Sequence, residues 1–113
     1  TKLYAWLKPE AKIFIIADTP YNKLIEKAIP TYEKLESEGA KWPGIIRNIR
    51  DYVPQQYKSM TPEFMHFLTP FVLTRALTEI GFTIEEAKIF SRTNYPIEEQ
   101  FDGREGVGII ARK

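Results

Sequence analysis

The sequence predicts an α/β fold in the order strand, helical segments, helix, strand, strand, and three observations predict it. Lys12-Ile13-Phe14-Ile15-Ile16-Ala17 is a β-branched and aromatic run without strict alternation, the habit of a strand covered on both faces. Apolar residues at helical spacing follow it twice. After Gly81 the period changes, and Thr83 to Arg92 and Val107 to Ala111 read as strands.

Each element carries its own signals. Leu3 to Leu7 reads as the end of a helix, closed by a turn at Lys8-Pro9-Glu10-Ala11. Asp18-Thr19-Pro20 ends the first strand and starts a helix, with Thr19 as the cap and Pro20 at the first helical position. Leu24, Ile25, Ala28, Ile29, Tyr32 and Leu35 share one face of it, Pro30 should kink or split it, and Gly39 stops it. Residues 40–60 are irregular, with a short helix expected around Ile45, Ile46 and Ile49. Thr61-Pro62-Glu63 opens one helical turn or two, and Thr69-Pro70 opens a fuller helix ended by Gly81. The crossover from the first strand to the second is long enough to be parallel and right-handed, and the last strand returns as an antiparallel partner.

Composition narrows the functional classes. The chain has 113 residues, 43% hydrophobic and 27% charged, as an ordinary globular domain has. Residues 1–50 carry 9 basic and 6 acidic groups, and residues 51–113 carry 7 and 9. Neither balance is a nucleic-acid footprint. The longest apolar run, Ile13 to Ala17, is far below the roughly 20 residues of a membrane helix. No basic and apolar leader pattern is visible, so the expected location is cytoplasmic. There is no cysteine and a single histidine, and the carboxylates lack ligand spacing, so no metal site is expected.

Three motifs in order resemble the last third of a class I S-adenosylmethionine-dependent methyltransferase. Leu7-Lys8-Pro9-Glu10-Ala11 before the first strand stands where that family has Leu-Lys-Pro-Gly-Gly before its fifth strand; Glu10-Ala11 replaces the two glycines. Leu73, Leu77, Gly81 and Phe82 stand in the pattern that ends the helix before its sixth strand. Val107-Gly108-Ile109-Ile110-Ala111-Arg112-Lys113 resembles its seventh strand, which that family inserts antiparallel.

The resemblance implies the C-terminal half of a Rossmann-like methyltransferase sheet. Residues 1–113 then form a single partial domain, with 20–68 a helical insertion on the substrate side. The implied activity is methyl transfer from a sulfonium to an oxygen, nitrogen or carbon nucleophile, on a small molecule or another acceptor, and it needs in-line positioning more than acid or base groups. The family's glycine-rich loop after a first strand, and the acidic residue that holds the cofactor ribose, have no counterpart here. Gly103-Arg104-Glu105-Gly106-Val107-Gly108 precedes a strand instead of joining a strand to a helix, and reads as a hairpin loop with close backbone approach. No cofactor-binding residue is therefore assigned, and the chain alone is expected neither to bind S-adenosylmethionine nor to be active.

Candidate site residues follow from the rule that ligands collect beyond the carboxyl ends of parallel strands. Asp18, Thr19 and Tyr21 belong to that rim, although Asp18 and Thr19 serve equally well as helix caps. Trp42, Tyr52, Tyr57, Phe64 and Phe67 form either an apolar wall around a small acceptor or the packing of a loop-rich segment. His66 is the natural general base, unless it is a hydrogen-bonded packing histidine. Tyr95 and Phe101 read as packing or interface residues. The competing functional class is a non-catalytic α/β binding or dimerisation module. On the methyltransferase reading, the strand at Ile13–Ala17 has lost a neighbour, and its apolar edge should drive homo-oligomerisation.

Overall fold

The computed structural model describes residues 2–113 and is α/β, with a three-stranded antiparallel sheet and a small two-stranded one. Helix α1 (Lys2–Trp6) leads into β1 (Lys12–Asp18). After a 3-10 turn at Lys23–Ala28 come α2 (Ile29–Ser37), β2 (Ile45–Ile46), two further 3-10 turns (Ile49–Tyr52, Gln55–Met60) and β3 (Met65–His66). Helix α3 (Pro70–Ile80), β4 (Thr83–Phe90) and β5 (Gly106–Arg112) complete the chain.

The large sheet has the order β1-β5-β4, with β5 antiparallel to both neighbours, so that β1 and β4 run parallel to each other. Register puts Ile13, Ile15 and Ala17 opposite Ala111, Ile109 and Val107 on one face. There they pack with Leu73 and Leu77 of α3 and with Phe82. Tyr4 of α1 meets Phe82 edge to face at 4.9 Å. A second core lies in the insertion, where Ile25 and Ala28 meet Ile46, Ile49, Val53 and Phe67.

The opposite face of the sheet is bare. Phe14 and Ile16 are 71% and 65% exposed, and Ile110 and Phe90 lie beside them. The Phe90 ring crosses β5 where Gly106 and Gly108 have no side chains, the close approach expected of this loop. Lys12–Glu85 and Lys88–Glu86 ion pairs rim the patch. The molecule is accordingly open: its radius of gyration is 15.3 Å, against about 13 Å for a compact chain of nearly this length. No helix among the described residues is long and apolar enough to cross a membrane.

Local chemistry explains most boundaries and corrects three. Thr69 caps α3 by accepting from the Val72 N–H, Pro70 begins it, and Gly81 (φ +124°) lets Phe82 N–H close back on the Leu77 carbonyl. Pro30 splits the helix after β1 as expected, leaving a 3-10 segment before α2. That helix does not start at Thr19-Pro20, however. Its cap is Asn22, whose Oδ1 accepts from Leu24 N–H; the Thr19 oxygen accepts instead from Tyr21 N–H in a turn before the helical segment, and its hydroxyl proton goes to the Arg104 carbonyl 85 residues away. The isoleucines at 45 and 46 form β2 instead of a helix, pairing with β3. Thr61-Pro62 opens no helix; Thr61 ends the turn before it, its hydroxyl donating to the Tyr57 carbonyl.

Candidate functional site

The carboxyl end of β1 opens onto a cavity of about 220 Å³ between the sheet and the insertion. Asp18, Asn22, Thr61 and Glu99 provide its polar groups, and its apolar wall includes Ile25, Val53, Tyr57, Met60, Met65 and Phe67. The volume is below the roughly 300–1,000 Å³ of drug-sized sites, so a ligand here is small.

Asp18 is the best-positioned group. Tyr95 donates its hydroxyl proton to Asp18 Oδ1, and the Arg92 guanidinium lies 3.5 Å from the same oxygen. Arg92 also stacks over the rings of Phe90 (5.1 Å) and Tyr95 (4.9 Å). Burial, then the hydrogen bond to Asp18, pushes the Tyr95 phenol up to about 12, so at neutral pH it is a fixed donor. With Oδ1 held from two sides, Asp18 Oδ2 has no hydrogen-bond partner among the described residues, and the side chain is about half exposed.

The loop that follows β4 is organised by a buried carboxylate. Glu105 accepts from the backbone N–H groups of Arg92, Phe101, Asp102 and Gly103 at 2.7–3.2 Å. Burial alone raises its pKa, but the four donors outweigh that and leave it below the ordinary glutamate value. The Thr19 N–H donates to the Glu105 carbonyl, which ties this loop to the end of β1. The glycine-containing loop is thus already wrapped around an internal anion. Its N–H groups are not offered to an external phosphate, and no strand–glycine loop–helix cradle for a nucleotide cofactor stands among the described residues. Nor is any group of three or more His, Asp or Glu side chains there placed to hold a metal.

The structure gathers only some of the expected site residues. Asp18, Tyr57 and Phe67 line the cavity together. Thr19 is fully buried behind β1, bonded to Arg104. Tyr21 faces the other way, under the Arg104 guanidinium at 3.8 Å and against Tyr32 at 6.1 Å. Trp42 stands apart, with Tyr4, Ala76 and Glu79 around a separate depression, and Arg75 and Lys41 over its ring.

The alternation of β3 divides its neighbours. Met65 and Phe67 turn to the cavity, while His66 packs edge-on to Trp42 at 5.6 Å. Desolvation lowers the His66 pKa, so the ring is neutral at pH 7, but it is outside the cavity. His66→Ala is therefore expected to leave ligand affinity in the cavity unchanged within about twofold. A tenfold loss in a titration would return His66 to the site.

The chain matches no family model, no curated protein and no solved structure. Function has to be read from the geometry. Sequence reasoning missed Asn22, Arg92, Tyr95 and Glu99. Their only signal was charge complementarity between Asp18 at the end of one parallel strand and Arg92 just past the end of the other.

Proposed function

We propose that this chain is the C-terminal, substrate-side portion of a class I S-adenosylmethionine-dependent methyltransferase, and that its cavity receives the small methyl acceptor. The observation that carries the reading is the sheet: a final strand runs antiparallel between two mutually parallel ones, with a cavity at the carboxyl end of the first. An antiparallel last strand is what the resemblance in Leu7-Lys8-Pro9, Gly81-Phe82 and the closing segment implies. Asp18 orients the acceptor nucleophile through its unpartnered oxygen, Tyr95 and Arg92 hold that carboxylate, and Tyr57, Met65 and Phe67 offer the acceptor an apolar wall. The methyl donor is assigned no residue of this chain.

The deciding experiment uses the polypeptide in which these residues follow a strand and a glycine-rich loop. Methyl transfer from labelled S-adenosylmethionine to a small-molecule acceptor is expected, falling at least about tenfold in Asp18→Asn. A coding sequence without such a strand and loop upstream would overturn the reading. Calorimetry on the present chain alone is expected to register no tight binding of S-adenosylmethionine.

The bare face and the unpaired outer edge of β1 support the same reading, since further strands and helices would cover both. We propose that the isolated chain covers them by homo-oligomerisation. Light scattering at micromolar concentration is expected to show dimers or larger species, and the double variant Phe14→Lys/Ile16→Glu to be monomeric. A monodisperse wild-type monomer counts against the missing-half account.

A further inference from the structure

Resting on the reading of the cavity as an acceptor site, we propose that its ligand class is a small organic ammonium: an apolar body bearing one protonated amine, which is the group that is held and, having no lone pair, not the nucleophile that takes the methyl group. The lining combines an apolar wall with two carboxylates, Asp18 and Glu99, and contains no lysine or arginine. Arg92 partly offsets Asp18 from outside the lining, at 3.5 Å. Glu99 is not offset. Its carboxylate takes part in no hydrogen bond or ion pair among the described residues, although its backbone N–H is anchored to the Pro96 carbonyl and its own carbonyl accepts from Lys23 N–H. The backbone therefore fixes Glu99, a partly buried residue, at the cavity, and its charge reaches the Tyr95 hydroxyl that binds Asp18.

A cation placed between Asp18 Oδ2 and Glu99 satisfies both, whereas an anion there meets like charge. The apolar wall supplies the rest of the recognition. Tyr57 and Phe67 offer ring faces and edges, and Met60 and Met65 offer deformable thioethers that adapt to irregular shapes. An inorganic cation would leave that wall unused, and a purely apolar ligand would leave the two carboxylates facing it.

Met60 and Met65 are the only methionines of the chain and both line the cavity, which gives a direct readout. The chain, labelled at its methionine methyl groups, is titrated with 2-phenylethylammonium, 2-phenylethanol and 3-phenylpropanoate. The ammonium is expected to move both methyl resonances and to bind about tenfold tighter than the alcohol, with the carboxylate weakest and with the preference shrinking at high salt. Glu99→Gln is expected to narrow that preference to roughly threefold while preserving the amide spectrum of the fold. Equal or tighter binding of the alcohol or the carboxylate overturns the ammonium class but leaves the cavity as a ligand site. Methyl resonances unmoved by all three probes overturn the ammonium class and the acceptor-cavity reading together. A preference unchanged in Glu99→Gln removes Glu99 from recognition and overturns the proposal as stated.

Discussion

Replacing Gly44 with alanine is expected to destabilise the protein by on the order of 3 kcal/mol, and to lower its melting temperature by about 10 °C. The expected result follows from space alone. Gly44 accepts the Phe67 N–H at 2.8 Å, directly extending the β2–β3 ladder, and Pro43 beside it is fully buried. A Cβ added at Gly44 would overlap the Phe67 carbonyl oxygen and crowd its carbonyl carbon at 2.8 Å. The obstacle is backbone, so no rotamer change relieves it. The two strands must separate, and Phe67 leaves both the insertion core and the cavity wall. Thermal denaturation measures the stability loss, and the Met65 methyl resonance should report the displaced wall. Gly39 provides the contrast: a Cβ there meets nothing within 4 Å and only the positive φ of 79° is at stake, so Gly39→Ala should cost about 1 kcal/mol. Equal losses at the two positions would mean that the β2–β3 contact yields freely and does not brace the cavity.

What was legible in the sequence is what is decided within a few residues. Thr69 and Gly81 bound α3 through hydrogen bonds that close inside one turn, and Pro70 begins it with a fixed φ and no donor left unpaired, so each residue type announces its place. The run Lys12–Ala17 also announced itself as a strand, although its exposed outer face is half of what that apolar pattern asks to be covered. Thr19-Pro20 carried an equally clear local signal and misled: the Thr19 oxygen does accept a backbone N–H, from Tyr21, but in a turn, and Asn22 caps the helical segment that follows. The cavity divides in the same way. Asp18 was legible from its place at a strand end, and Tyr57 and Phe67 from being aromatic in an irregular segment. Arg92 and Tyr95 reach Asp18, and Glu99 joins it at the cavity, only through the register of β5 between β1 and β4, which no local pattern encodes. His66 was read as a general base and Trp42 as part of the wall; the two-residue alternation of β3 turns His66 away from the cavity, and Trp42 lies against it on that other side.

Glu105→Ala should be at least as damaging, at roughly 3 to 4 kcal/mol, because it removes one acceptor from four backbone donors at once. The loss spreads beyond the loop. Thr19 and Arg92 are held by the same structure, through the Glu105 carbonyl and the Glu105 carboxylate; Thr19 is the next residue after Asp18, and the Arg92 guanidinium lies 3.5 Å from its carboxylate. Cavity binding is thus expected to weaken along with stability, even though Glu105 does not line the cavity. Glu105→Gln separates charge from shape: it keeps one acceptor oxygen and turns an amide donor towards backbone N–H groups, for an expected cost of about 2 kcal/mol.

The pH dependence carries the sharper test. The folded-state pKa of Glu105 is lowered, so its ionised form contributes stability above the unfolded glutamate value of about 4.3. That contribution should fade as pH falls from there through the folded value. Denaturation midpoints of the wild type should therefore drop more steeply below about pH 4.5 than those of Glu105→Gln, which has no proton to gain at this position. Parallel curves for the two proteins would show that the four N–H groups do not hold a charged carboxylate, and the loop at the mouth of β1 would need another anchor.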